Sequence, residues 1–135
     1  ILKLSNKSIW SKRFKNVKFF SLSFGIIDNH QMSRLNEQWL NKSGSTDVLS
    51  FPIINEQDLL QDFEVVELGD LFVSLDKAID QSYEHDNTLT KEMLWLVSHG
   101  FLHLLGWDHK NQKQLNVMLN FQEYLISQLD LINND

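Results

Sequence analysis

The chain has 135 residues, 42% hydrophobic, 11% aromatic and 22% charged, which suits one soluble core and excludes a disordered tail, a collagen and a coiled-coil rod. It has no cysteine, so disulfides, thiolate metal sites, iron–sulfur clusters and cysteine nucleophiles are excluded, and any metal must use His, Asp or Glu. The net charge of −6 is unevenly spread: Lys3, Lys7, Lys12, Arg13, Lys15 and Lys18 give the first 27 residues +6, and six basic against eighteen acidic residues leave −12 for the rest.

A basic segment on an acidic body suits either phosphate contact or a solvated helix face. Within it, Leu2, Ile9, Trp10 and Phe14 fall near helical spacing over residues 1–15, although Ile1–Leu4 also reads as a short strand. Val17–Ile27 is β-branched and aromatic and predicts a strand; Asp28 or Asn29 then caps a helix to about Leu40. Asn41–Ser45 is a loop, and Val48–Ile53 a strand that Pro52 assigns to an edge or a strand end. Residues 55–67, with Glu56, Asp58, Asp62, Glu64 and Glu67, read as an exposed arm or loop before a strand at Leu68–Leu75.

Helices follow over Asp76 to about Glu84 and Leu89–Leu105, the second with Leu89, Met93, Leu96, Val97 and Leu104 at core spacing. The last helix starts after Asn111, whose side chain caps while Gln114 reaches back, and runs to about Leu131 on Leu115, Met118, Leu125 and Leu129. The order predicts an α+β fold over one domain, 1–135: a small mixed sheet with helices packed against it. No stretch approaches the roughly 18–20 apolar residues of a membrane span, and the start lacks the apolar region of a signal peptide, so the expected compartment is the cytoplasm.

The chemistry concentrates in HGFLHLLGWDH, His99 to His109. Four residues apart on a helix, His99 and His103 share one face and can share an ion. Gly106 can turn the chain at positive φ, end the helix and return His109 toward the same ion. Three imidazoles suit one zinc per chain and leave a fourth position for water, the arrangement of a catalytic ion. The spacing is that of HExxHxxGxxH zinc proteases, yet Gly100 stands where those enzymes carry their glutamate base. Asp108 can orient an imidazole or act as base, or simply cap the turn. Glu92 lies two turns earlier on the histidine face and reads as a helix-surface residue; His30 and His85 read as surface or loop histidines. Trp10, Trp39, Trp95 and Trp107 can stack bases or pack a core and its rim.

The block SHGFLHLLGWDH at Ser98–His109, with STDVLSFP at Ser45–Pro52, ELGDLFVS at Glu67–Ser74 and IIDNHQMSRLN at Ile26–Asn36, resembles the YbeY family of bacterial metal-dependent endoribonucleases over roughly residues 17–130. The resemblance implies zinc on His99, His103 and His109 and a single-strand-specific role in 3′-end maturation of small-subunit ribosomal RNA and in ribosome quality control. It also implies ribosomal RNA, the small subunit or its assembly factors as partners, and neither membrane nor DNA. Lys42 and Ser50 are its candidates for substrate contact. The family pattern LNxxYRxKDxPTDVLSFP is matched at Leu35, Asn36 and Lys42, but Trp39 replaces the tyrosine, Leu40 the arginine, and Ser43 and Ser45 the aspartate and proline. The chain also starts late against the family, whose first strand is expected to be missing or shortened. Two rival readings are a metalloprotease, opposed by Gly100, and a non-catalytic zinc-containing ribosome-assembly factor, favoured by Leu40.

Overall fold

The computed structural model describes residues 17–53 and 65–133, with side chains to residue 129. The expectations for residues 1–15, including Trp10, and for the acids between residues 55 and 64 lie outside the described residues. The elements are β1 (Phe19–Ile27), α1 (Asn29–Leu40), β2 (Val48–Pro52), β3 (Val65–Ser74), α2 (Leu75–Glu84), α3 (Leu89–Leu104) and α4 (Gln112–Asn133). This is the expected order, and the α+β reading holds. The sheet is mixed, in the order β1-β3-β2, with β1 parallel and β2 antiparallel to the central β3. Pro52 ends the edge strand β2, where its missing N–H costs little.

The apolar pattern of β3 explains how helices cover it. Val66 and Leu68 are buried, then Leu71 and Val73. Strict alternation would send the two pairs to opposite faces unless one residue were inserted between them. The ladder contains that insertion: Ser21 pairs with Glu67 and Ser23 with Asp70, so two steps along β1 match three along β3. Gly69 makes the bulge possible, because its φ of +132° disfavours side chains and a Cβ there would meet the carbonyl oxygen of Phe51. Val66, Leu68 and Leu71 then share one cluster with Leu102, Leu104, Leu105, Met118 and Leu125, while Val73 packs with Ala78 and Leu96. Each buried leucine contributes roughly 1.5–3 kcal/mol relative to exposure.

Helix α3 rests directly on the sheet at Gly100. A Cβ there would meet the Leu71 side chain, with Val48 Cγ2 at 3.0 Å and Ser50 Oγ at 3.2 Å. Ser50 Oγ instead donates to the Gly100 carbonyl at 3.0 Å. The helix starts follow their caps. Asp28 accepts from the Gln31 N–H and Gln31 Oε1 from the Asp28 N–H, which is a capping box. Asn111 accepts from the Gln114 N–H, but Gln114 Oε1 reaches back one residue further than expected, to the Lys110 N–H.

Three expectations are corrected. β3 begins at Val65 rather than Leu68 and gives way to α2 at Leu75, because Glu67 occupies the solvent side of a strand and does not mark a loop. Leu89 and Leu129, placed at core spacing, are exposed where α3 begins and toward the end of α4. No helix among the described residues is long and apolar enough to cross a membrane.

The bulge yields a stability prediction. Gly69→Ala should lose about 2–4 kcal/mol from positive-φ strain and the backbone clash, read as a lower urea midpoint at unchanged slope. A wild-type midpoint would contradict this account of how β3 presents one apolar face.

Candidate metal centre

Helix α3 is capped by Thr88, whose Oγ1 accepts from the Lys91 N–H at 3.1 Å, and ends in a turn that also prepares the site. The Gly106 N–H donates to the His103 carbonyl and the Trp107 N–H to the Leu102 carbonyl, each at 2.9 Å, with Gly106 at φ +98°. These are the paired bonds of a Schellman motif. The turn brings the Trp107 carbonyl to 2.9 Å from His103 Nδ1. A carbonyl only accepts, so the His103 proton sits on Nδ1 and Nε2 presents a lone pair. Asp108 Oδ1 accepts from the His109 N–H at 2.8 Å, and the Trp107 ring stacks on Phe121 at 5.2 Å.

The three predicted ligands converge. His99 Nε2 and His103 Nε2 are 3.1 Å apart, and one nitrogen from each of His99, His103 and His109 lies within 4.8 Å of the others. Zn–N bonds of 2.0–2.1 Å in a tetrahedral site put two ligand nitrogens about 3.3–3.4 Å apart, so the helical pair is already at ligand spacing. Three nitrogen donors fit zinc or a similar transition ion and do not fit calcium or magnesium. Burial foremost, then the positive charge that His99 and His109 can carry, lowers the His103 pKa below its ordinary 6.5 against the raising effects of the Trp107 carbonyl and Asp108. The ring therefore stays neutral and ready to ligate at neutral pH.

His99 and His103 open into a groove of about 400 Å³ that is also lined by Leu40, Asp47, Ser50 and Pro52. Ser50 thus reaches the site, with its hydroxyl proton committed to Gly100. Lys42 is exposed just beyond the left-handed C-cap Asn41 and does not line the groove. Asp108 is exposed and caps the turn. Glu92 is the correction: it is buried, not on the helix surface, and accepts from Asn87 Nδ2 at 3.2 Å while His85 Nδ1 lies 2.9 Å from its other oxygen. His85 is a surface histidine as expected, but one that covers a buried carboxylate.

Sequence reasoning passed over Asp47, which lies inside the STDVLSFP block and accepts from Gln81 Nε2 at 3.2 Å. It also missed Gln122, whose Oε1 lies 3.1 Å from His99 Nδ1. The signal for Gln122 was a polar residue on the apolar stripe of α4, between Met118 and Leu125.

A family model described as endoribonuclease YbeY matches residues 3–130. Two proteins named endoribonuclease YbeY are similar over 113 residues, 84% of this chain and 63% of theirs: that of Prochlorococcus marinus strain MIT 9515 at 58% identity and that of the pastoris subspecies at 59%. The endoribonuclease YbeY of Parasynechococcus marenigrum strain WH8102 is 47% identical over 106 residues, 78% of this chain and 57% of its own. The chain thus spans about three fifths of the length of the curated relatives it matches. The solution structure of a Thermotoga maritima protein, 23% identical, superposes with a TM-score of 0.53 over 89% of this chain and 78% of that one, which supports the fold.

Two measurements check the centre. Protein loaded with excess zinc and then desalted should retain close to one ion per chain by elemental analysis, and His99→Ala, His103→Ala and His109→Ala should each lower occupancy sharply; full retention in all three would sink the assignment. The metal-free protein should lose stability as pH falls below 6.5, because the unfolded chain then binds a proton that folded His103 resists. His103→Gln should flatten that part of a urea-midpoint series, and an equally steep series would assign the acid sensitivity elsewhere.

Proposed function

The chain belongs to the endoribonuclease YbeY family, and on that premise we propose that it is a zinc-dependent hydrolase that cuts single-stranded RNA internally. Its place is 3′-end maturation of 16S ribosomal RNA and ribosome quality control in the cytoplasm, with ribosomal RNA and the small subunit or its assembly factors as partners. The observation that supports this most is the histidine cluster on the wall of an open groove, where an extended phosphodiester can reach it.

Zinc held by His99, His103 and His109 supplies Lewis acidity toward a phosphoryl oxygen and lowers the pKa of water toward neutrality. The chain's own groups do the rest. His103 stays neutral through burial and is oriented by the Trp107 carbonyl. Ser50 offers oxygen lone pairs to a donor on the substrate, such as a ribose hydroxyl, because its own proton is committed. Asp47 lines the groove with its Oδ2 accepting from Gln81 Nε2, and in this reading its carboxylate takes a proton from an attacking nucleophile. Peptide hydrolysis by the HExxH route has no support, because residue 100 points into the sheet and has no room for a carboxylate side chain.

Leu40 favours a second reading. It lines the groove at the position of the family's arginine, where an exposed apolar side chain donates no hydrogen bond to a phosphate. A zinc-containing assembly factor without nuclease activity would tolerate this.

Precursor 16S ribosomal RNA incubated with zinc-loaded protein decides between them. Cleavage should be weak, abolished by chelator and by His103→Ala, and absent on casein. Leu40→Arg at equal zinc content should raise the rate roughly ten-fold, since losing one well-placed donor costs on the order of 10²–10³ in enzymes built around it. If neither protein cuts RNA with zinc fully bound, the assembly-factor reading takes first place.

A further inference from the structure

We infer that Gln122 is a positioning residue: its side-chain oxygen holds His99 in the tautomer protonated at Nδ1, which keeps Nε2 bare for the ion and stops the two helix histidines from closing on each other. The inference rests on the metal reading above and concerns how the site is kept open, not what it cleaves.

Gln122 is fully buried on α4, so its amide must find partners inside the protein. Oxygen and nitrogen of an amide are told apart by their neighbours. One end lies 2.7 Å from the Trp95 carbonyl, which only accepts, so that end is the NH2 group. The other end, 3.1 Å from His99 Nδ1, is therefore the oxygen, and it needs a proton on Nδ1. His99 thus carries its proton away from the site, as His103 does under the Trp107 carbonyl.

The consequence lies in the 3.1 Å between the two Nε2 atoms. With both protons on Nδ1, two lone pairs face each other at hydrogen-bond distance with nothing between them, a repulsion that a shared cation relieves. The competing state moves the His99 proton to Nε2, makes an ordinary N–H···N bond to His103 and blocks the ion. That state leaves the buried Gln122 oxygen facing a bare Nδ1, an unsatisfied acceptor against a lone pair. Gln122 therefore penalises the blocked tautomer. Because its other end holds the Trp95 carbonyl one turn before His99, docking of α4 and readiness of the metal site are a single event.

The test uses nitrogen NMR of the histidine side chains in the metal-free 135-residue chain at about pH 8, above the ordinary imidazole range. Wild type should show both His99 and His103 protonated at Nδ1. In Gln122→Met, which keeps the length but accepts nothing, His99 should shift toward the Nε2–H form while His103 stays unchanged as the internal control. The zinc dissociation constant, from competition with a chromogenic chelator, should rise about 10–100-fold. Gln122→Glu keeps an acceptor for the His99 Nδ1 proton but loses the donor to the Trp95 carbonyl, so His99 should stay protonated at Nδ1 as in wild type even where the fold loses stability.

His99 protonated at Nε2 in the wild type would overturn the inference without any variant. An unchanged His99 tautomer and zinc affinity in folded Gln122→Met would do the same. Failure of wild type to take up zinc would contradict the metal reading instead, and the His99 tautomer in that same sample would still decide the role of Gln122.

Discussion

Helix α3 lies against β2 and β3 because residue 100 has no side chain: a Cβ there would meet Leu71 and crowd Val48 and Ser50. That approach sets the rest of the molecule. It brings residues 99 and 103, on the flank of the helix, to the edge of the sheet, where the groove runs past Leu40, Asp47 and Ser50. It also demands a continuous apolar floor under the helix, which β3 provides only by inserting a residue at the Gly69 bulge. Two glycines, one in a strand and one in a helix, thus serve one purpose: each removes a side chain where two backbones or a backbone and a core must meet.

The end of the same helix supplies the chemistry's orientation. The Schellman turn at Gly106 satisfies the last carbonyls, sends the chain back so that His109 returns, and delivers the Trp107 carbonyl to His103. One turn therefore terminates an element, returns a third imidazole and fixes a tautomer. Helix α4 closes the arrangement from the other side, with Phe121 stacked on Trp107 and the adjacent Gln122 spanning His99 and Trp95. Burial of His103 disfavours its protonated form, so the features that bury that ring also keep it competent for a cation.

Much of this was legible in the sequence because it depends on local spacing. The histidine pair follows from helical periodicity, the return of His109 from Gly106, the cap of α1 from Asp28, and the edge position of β2 from Pro52. The expectations that failed depend on contacts across the chain. Glu92 is buried because His85 and Asn87, in the connection before α3, close over it, and nothing in the spacing of α3 reveals that. The start of β3 was hidden because Glu67 alternates with buried neighbours on a strand with one wet face. Gln122 left a trace as a polar residue on an apolar stripe, but its partner lies 23 residues earlier on another helix.

The central claim is that three imidazoles, prepared by the fold, hold one transition-metal ion. X-ray absorption at the zinc edge of the loaded protein tests it most directly. The account predicts a four-coordinate shell with bonds of about 2.0–2.1 Å and the outer-shell scattering of three imidazole rings. A shell of oxygen ligands alone, or the signature of no more than one imidazole, would contradict it.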